Sequence, residues 1–181
     1  DGCCVNVYLL SVVAYTMQTL EIAKNIHWVG VLHATLRVFD VVFQTRFGST
    51  YNSYLILADK PTIIDCVHGK FAQEYLEKLR SLINLKDICY IVVNHTEMDH
   101  TGALGLLLKE TPNAQILSTK TASLFLKNIL HRDVKGKAVE DGESFSLGNK
   151  RLKFIHAPYW HWPDTMFTYV EEDRVLFPCD G

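Results

Sequence analysis

Apolar and polar residues alternate along this chain in short runs, most of them with the period of a strand. Runs of about four to eight apolar residues between Gly, Pro, Asn or Asp are typical of strands, and apolar residues three or four apart predict amphipathic helices. Helices are predicted over residues 70–83, 103–110 and 120–130. Strands are predicted over residues 28–32, 36–43, 51–58, 62–66, 88–93, 114–118, 132–139, 143–147, 152–156, 165–170 and 174–177.

The order of these elements predicts an α+β fold. Strands come first, strand–helix pairs occupy the middle, and strands return at the end. This order indicates a helix-covered β-sandwich rather than a strict βαβ alternation. Residues 132–139 and 143–147 are expected at sheet edges, around a turn at Asp141 and Gly142. Repeats, linkers and low-complexity segments are absent from the sequence, so residues 17–181 are expected to form one domain.

Composition narrows the class of protein. Of the 181 residues, 48% are hydrophobic and 21% are charged, which is an ordinary globular balance. The formal net charge is −2 and there is no basic run, which argues against a nucleic-acid partner. The five cysteines are odd in number and scattered, so neither a disulfide framework nor a zinc knuckle is indicated. The expected location is a reducing cytoplasm.

The first residues differ from the rest. Residues 2–20 carry no charge, and residues 5–14 are mostly apolar, as in a signal-peptide core or a short anchor. Against that interpretation, no Lys or Arg precedes the apolar run, and Asn6 and Ser11 interrupt it. We expect Met17 to be the authentic start and residues 1–16 to be a non-native or upstream extension. A buried N-terminal strand is the alternative.

Four potential metal ligands lie within six residues, where a predicted strand gives way to a helix: His95, Glu97, Asp99 and His100. Polar residues at such a junction lie at the rim of an α/β core, where ligand sites tend to form. The first three recur at every second residue, so in a near-extended segment their side chains would point the same way. This pattern predicts a metal site.

Two later strand ends carry further candidates. His161 lies in a loop between Trp160 and Trp162, and Asp180 follows the last strand. Alone, such a histidine is often a packing residue and such an aspartate a turn former. They become candidate ligands because three strand ends could converge on one edge of the sheets. With Tyr159, the two tryptophans are expected either to form a dry, apolar wall at the site or to pack in the core.

These motifs, in this order, resemble those of the flavodiiron proteins, or A-type flavoproteins. The resemblance begins with His-Trp-Val-Gly-Val at residues 27–31 and continues through residues 46–56. It includes His-x-Glu-x-Asp-His at residues 95–100, a His-Trp-Pro-Asp element within residues 159–169, and Leu-Phe-Pro-Cys-Asp-Gly at residues 176–181. The ligand motif is a variant of the His-x-His-x-Asp-His of the metallo-β-lactamase fold.

The resemblance implies an αββα sandwich of the metallo-β-lactamase-like fold, incomplete at the C-terminus. Such a domain would carry two iron ions and reduce dioxygen to water or nitric oxide to nitrous oxide. His95, Glu97 and His161 would bind one iron, Asp99 the second, and Asp180 would bridge them. His100 is not included in this ligand set. A further histidine of the second iron is expected beyond Asp180.

The resemblance also implies partners outside this sequence. The flavodoxin-like domain that binds FMN is absent from residues 17–181, so the sequence is interpreted as a fragment or a truncated product. The electron donor would be rubredoxin-like or a flavin, and the full-length protein would form a head-to-tail homodimer. Neither a membrane nor a nucleic acid is expected as a partner.

Glu97 distinguishes the alternatives that remain. A hydrolase of this fold has histidine at that position, which gives imidazole-rich zinc sites. A carboxylate there makes the site harder and more anionic, as suits iron. The alternative function is a dinuclear metal-dependent hydrolase, in which Asp99 would aid proton transfer. A third interpretation is a non-catalytic structural remnant.

The remaining histidines are interpreted as packing or surface residues, with a role beside the site open for the last: His27, His33, His68, His131 and His156.

Overall fold

A computed structural model describes residues 18–39 and 41–181. The predicted extension at residues 1–16 lies outside this range, so that prediction stays untested. Among the residues described, none of the helices is long and apolar enough to cross a membrane.

The described part of the chain forms short strands and four helices. The strands are β1 Leu20–Ala23, β2 Ile26–Trp28, β3 Val31–His33, β4 Val38–Phe39, β5 Phe43–Gln44, β6 Ser49–Tyr51, β7 Tyr54–Ile56, β8 Thr62–Ile64, β9 Tyr90–Val93, β10 Gln115–Ser118, β11 Gly136–Ala138, β12 Ser144–Ser146, β13 Arg151–His156, β14 Met166–Val170 and β15 Val175–Phe177. The helices are α1 Ala72–Leu82, α2 Met98–Thr101, α3 Leu104–Glu110 and α4 Lys120–Leu130, with 3-10 turns at Gly69–Phe71 and Leu85–Asp87.

The larger sheet has seven strands in the order β1-β2-β7-β8-β9-β10-β11. Its first part is antiparallel, whereas β8, β9, β10 and β11 pair in parallel. Parallel neighbours need a crossover, and helices supply those crossovers here. The strand–helix pairs predicted for the middle of the chain form this parallel part, and the fold as a whole is the predicted sandwich without strict βαβ alternation.

The second sheet is antiparallel, in the order β12-β13-β14-β15, and packs face to face on the first. Successive residues of β9 alternate between two cores. Ile91 and Val93 face the helices, and Val92 faces the second sheet. Both faces of the larger sheet are buried, which explains why its central strands are continuously apolar.

Helices α1, α3 and α4 cover the outer face of the larger sheet through buried residues such as Leu79, Leu107 and Leu126. Two sheets with a helical layer match the predicted metallo-β-lactamase-like sandwich. On the second sheet, the outward residues of β13 are exposed: Arg151, Lys153 and Ile155. Within residues 18–39 and 41–181, no helix contributes to the buried cluster between the sheets.

Most predicted elements are confirmed with small shifts of their ends. Helix α4 has the predicted bounds, and β11 and β12 are both sheet edges, though of different sheets. The single strands predicted over residues 28–32 and 36–43 are wrong. The first is divided between β2 and β3, which belong to different sheets. The second folds back as an antiparallel hairpin of β4 and β5. Strands β4 and β5 pair with each other rather than with a main sheet. The apolar pattern of residues 36–43 does not indicate that the chain reverses direction between them.

Candidate metal centre

The ends of three strands bring the predicted ligands together. β9 ends at Val93 and leads into His95, which is fully buried. The loop between β13 and β14 carries His161, and the segment after β15 carries Asp180. Ligand atoms of these two residues, His95 and Glu97 all lie within 4.8 Å of one another. The predicted convergence of the three strand ends is therefore present in the structure.

Glu97 stands at the centre of this first group. Its Oε2 lies 3.1 Å from Nε2 of His95 and 3.3 Å from Nε2 of His161. Oδ2 of Asp180 lies 3.6 Å from the same nitrogen of His161. Two imidazoles and two carboxylates thus point their donor atoms into one small volume.

A second group shares one of these ligands. Asp99, His100 and Asp180 also place ligand atoms within 4.8 Å of one another. Nε2 of His100 lies 3.0 Å from Oδ1 of Asp180 and 3.8 Å from Oδ2 of Asp99. Asp180 therefore presents one carboxylate oxygen to each group. His100, which the predicted ligand set leaves out, lies beside both carboxylates of this group.

The expectation that the side chains of His95, Glu97 and Asp99 point the same way is wrong at Asp99. Glu97 has extended backbone angles, φ −59° and ψ 156°, but α2 begins at the next residue, Met98. Residues on a helix do not alternate with period two. For this reason Asp99 leaves the side occupied by His95 and Glu97 and joins His100.

A buried carboxylate orients His95 from behind. Asp164, which is inaccessible to solvent, lies 3.3 Å from Nδ1 of His95. It also accepts hydrogen bonds from the backbone N–H and the hydroxyl of Thr96, at 2.8 and 2.7 Å. This contact directs Nε2 of His95 toward Glu97. Sequence reasoning placed Asp164 in a family motif without a role; its position after a histidine-bearing loop was the available signal.

Asp65 supports the second group and was missed. It follows β8, has a left-handed backbone (φ 54°), and is buried. Its Oδ1 accepts the backbone N–H of Asn94 at 2.7 Å, and Oδ2 lies 3.6 Å from Nδ1 of His100. The available signal was its position at the end of the strand next to β9.

Asn94 ties the two sheets together at the site. Its side chain is fully buried and donates to the carbonyl of Phe177 at 3.3 Å. It accepts the hydroxyl hydrogen of Thr168 at 2.6 Å. These contacts hold the strand before Asp180 against the loop that carries His95.

The electrostatics of the site follow from burying several charges together. Burial raises the pKa of Asp99, and the charges of Asp180 and Glu97 raise it further, against the opposing effect of His100. Burial lowers the pKa of His100, but the hydrogen bond to Asp180 and the charges of Asp65 and Asp99 outweigh it and place that pKa well above its ordinary value. A cation between the carboxylates would relieve this repulsion.

The prediction of a dry aromatic wall is wrong for two of its three members. Tyr159 is 80% and Trp160 is 72% exposed. Only Trp162 packs at the site, with its ring centroid 4.9 Å from that of His95 and at a steep angle to it. Of the remaining histidines, His156 donates its backbone N–H to Asp141 and belongs to neither ligand group.

A helix-covered pair of sheets, with histidines and carboxylates converging at the strand ends, defines a metallo-β-lactamase-like domain with a candidate metal centre. Residues 50–180 match the family described as ODP family beta lactamase. The chain therefore belongs to the ODP β-lactamase family, and its relatives are flavodiiron proteins.

Three relatives show the extent of this similarity. The flavo-diiron protein FprA2 of Clostridium acetobutylicum is 43% identical over 166 residues, which are 91% of this chain and 42% of that protein. A nitric oxide reductase of Moorella thermoacetica is 42% identical over the same shares. The solved rubredoxin oxygen:oxidoreductase of Desulfovibrio gigas superposes with a TM-score of 0.85 at 31% identity, covering 88% of this chain and 40% of that one. The chain thus spans about two fifths of the length of these relatives.

Proposed function

We propose that this chain is the metal-binding domain of a non-haem diiron reductase that converts dioxygen to water, nitric oxide to nitrous oxide, or both. One observation carries the proposal: a glutamate, Glu97, lies between two histidines in the first ligand group, and a second carboxylate, Asp180, is shared with a second group. A carboxylate-rich site of this kind favours iron over the imidazole-rich zinc pair of a hydrolase.

We assign the first iron to His95, Glu97 and His161, the second to Asp99, and the bridging position to Asp180. One buried polar atom favours a cation at the second position. Oδ1 of Asp99 has no hydrogen-bond partner among the described residues. Buried polar atoms are rarely left unpaired, so this carboxylate oxygen fits a site that a bound cation completes.

The residues of the chain would prepare such a site for iron. Two ferrous ions would supply electrons to a diatomic gas, so no side-chain nucleophile is required. Asp164 holds His95 in one orientation, and Asn94 holds the strand before Asp180 in place. A cavity of about 600 Å³, lined in part by Met98, Trp162 and apolar residues of α4, gives an uncharged diatomic gas an apolar approach to Glu97.

The source of electrons is part of the proposal. The names of two relatives, a nitric oxide reductase and a rubredoxin oxygen:oxidoreductase, match the two proposed reactions. By analogy, we propose that FMN, bound outside residues 18–181, passes electrons to the irons within a head-to-tail homodimer, and that a rubredoxin-like protein or a flavin reduces it. A soluble, cytoplasmic protein would suit these donors.

Metal selectivity provides the test. The protein is expressed in iron-supplemented medium, and bound metals are measured in the unmutated protein, in Glu97→His and in Glu77→His. Glu77 is an exposed glutamate on α1 and serves as the matched control. We expect about two irons per full-length chain in the unmutated protein and the control, and a shift toward zinc in Glu97→His.

Gas consumption with a reduced flavin donor completes the experiment. Iron binding together with loss of dioxygen or nitric oxide is the expected result. Two zinc ions in the unmutated protein, together with esterase or thioesterase activity, would overturn the proposal in favour of a dinuclear hydrolase. Iron binding without consumption of either gas would overturn the reductase activity.

A further inference from the structure

A second cavity lies on the other side of the ligand loop. It has a volume of about 240 Å³ and shares Glu97 and Met98 with the larger cavity, but it also reaches Asp99. Its other walls are three apolar residues of the hairpin region and two residues that can carry protons: Leu36, Val38, Phe39, Tyr51 and His68. A phenol in the wall of a cavity that reaches two carboxylates can pass protons toward them.

A hydrogen bond connects the Tyr51 phenol in that wall with a histidine that is partly exposed to solvent. Tyr51 is only 5% exposed, and its hydroxyl lies 3.0 Å from Nδ1 of the partly exposed His33. Pairing of β3 with β6 holds the two residues on neighbouring strands. Burial raises the pKa of Tyr51, and the charge of Asp99 raises it further, so the phenol keeps its proton at neutral pH. Burial likewise lowers the pKa of His33, helped by the charge of Lys70, so its imidazole is neutral.

We propose that His33 and Tyr51 form a proton relay from solvent to the Asp99 side of the metal centre. This inference rests on the proposed function, because dioxygen reduction to two waters consumes four protons with four electrons from the reduced flavin donor. Reduction of two nitric oxide molecules to nitrous oxide and one water consumes two of each. The wall of this cavity is largely apolar, and the relay gives those protons a route along hydrogen-bonding groups.

The relay balances proton by proton. Solvent protonates Nε2 of His33, the Nδ1–H bond breaks as an O–H bond forms on Tyr51, and the original O–H bond of Tyr51 breaks to release a proton into the cavity. The phenol ends as it began. The imidazole ends as its other neutral tautomer, and proton exchange with solvent resets the partly exposed ring: Nε2 loses one proton and Nδ1 gains one. Nδ1 of His33 donates a hydrogen bond to Tyr51 before the transfer and accepts one after it. An imidazole nitrogen can do both, whereas an amide nitrogen cannot.

Neighbouring rings hold the relay in place. The imidazole of His68 stacks on the ring of Tyr51, with centroids 5.5 Å apart and planes 26° apart. Its Nδ1 accepts the backbone N–H of Lys70 at 3.2 Å, which restrains the imidazole ring. Phe71 packs edge-on against His33 at 4.9 Å. His68 and Phe71 are therefore positioning residues.

Removal of a single hydroxyl tests the relay. Tyr51→Phe keeps the ring and its stacking. Tyr54→Phe is the matched control, because Tyr54 follows three residues later and packs on Phe177, away from the cavity lining. Iron content, steady-state gas consumption with reduced flavin, and the solvent deuterium isotope effect are measured for both. We expect unchanged iron, turnover slower by about tenfold or more in Tyr51→Phe with a changed isotope effect, and no change in Tyr54→Phe.

A second variant and a measurement without turnover keep the inference falsifiable. His33→Gln should slow turnover like Tyr51→Phe. In the metal-free protein, nitrogen NMR of His33 should show Nδ1 in a hydrogen bond that Tyr51→Phe removes. Turnover within about twofold of the unmutated protein in Tyr51→Phe and His33→Gln, or no effect of Tyr51→Phe on the His33 nitrogens, would overturn the relay. Unmutated protein that binds iron but consumes neither gas would overturn the proposed function, while the NMR result would still report on the His33–Tyr51 pair.

Discussion

Replacing Asn94 with alanine should weaken both the fold and the metal centre. The mutation removes the acceptor for Thr168 and the donor to Phe177, two hydrogen bonds in a fully buried position. Each buried polar group left without a partner costs about 1–3 kcal/mol, so the loss of two partners should lower the free energy of unfolding by about 2–6 kcal/mol. Asn113→Ala removes an exposed amide and should change it by less than about 0.5 kcal/mol.

Urea unfolding of the metal-free protein, followed by circular dichroism, measures this difference. A double-mutant cycle with Thr168→Val should return a coupling of about 1 kcal/mol, because the two side chains share one hydrogen bond. Since Asn94 also holds the strand before Asp180, iron affinity should fall as well, by about tenfold or more. Equal free energies of unfolding for Asn94→Ala and Asn113→Ala would refute the reasoning. So would a double-mutant cycle that shows no coupling between Asn94 and Thr168.

Two further predictions concern buried ionisable groups. Asp164→Asn removes the charge behind His95 and should lower iron affinity by about 10–100-fold, whereas the exposed Asp133→Asn should not; equilibrium dialysis against a chelator distinguishes them. Burial raises the pKa of the Cys66 thiol to about 12 from its ordinary value of 9.0. As pH rises above about 9, the unfolded chain loses this proton while the folded chain keeps it. The free energy of unfolding should therefore decline by up to about 4 kcal/mol by pH 12, measured by urea unfolding. Cys66→Ala should flatten this decline, Cys89→Ala should not, and equal slopes in the two variants would contradict the assignment.

The local pattern of the sequence determined most elements of this fold. A strand and a helix each impose a period on the residues that face the core, so α1, α4 and the strand leading to His95 follow from the spacing of apolar residues. The ligand loop was equally visible, because four metal-binding side chains within six residues are rare by chance. The resemblance of three motifs to one family then predicted the sandwich that the structure contains.

Only the tertiary structure decided which side chains share a ligand group. Asp180 meets His100 across 80 residues, and Asp164 meets Thr96 across 68, and no local period reports such distances. Helix α2 begins at Met98, so Asp99 lies on a helical turn. Its side chain therefore does not lie on the side occupied by His95. The roles of Asp65 and Asn94 likewise depend on how neighbouring strands pair. Periodicity is a property of neighbouring residues, whereas a metal site is a property of chain segments that meet only after the two sheets have packed.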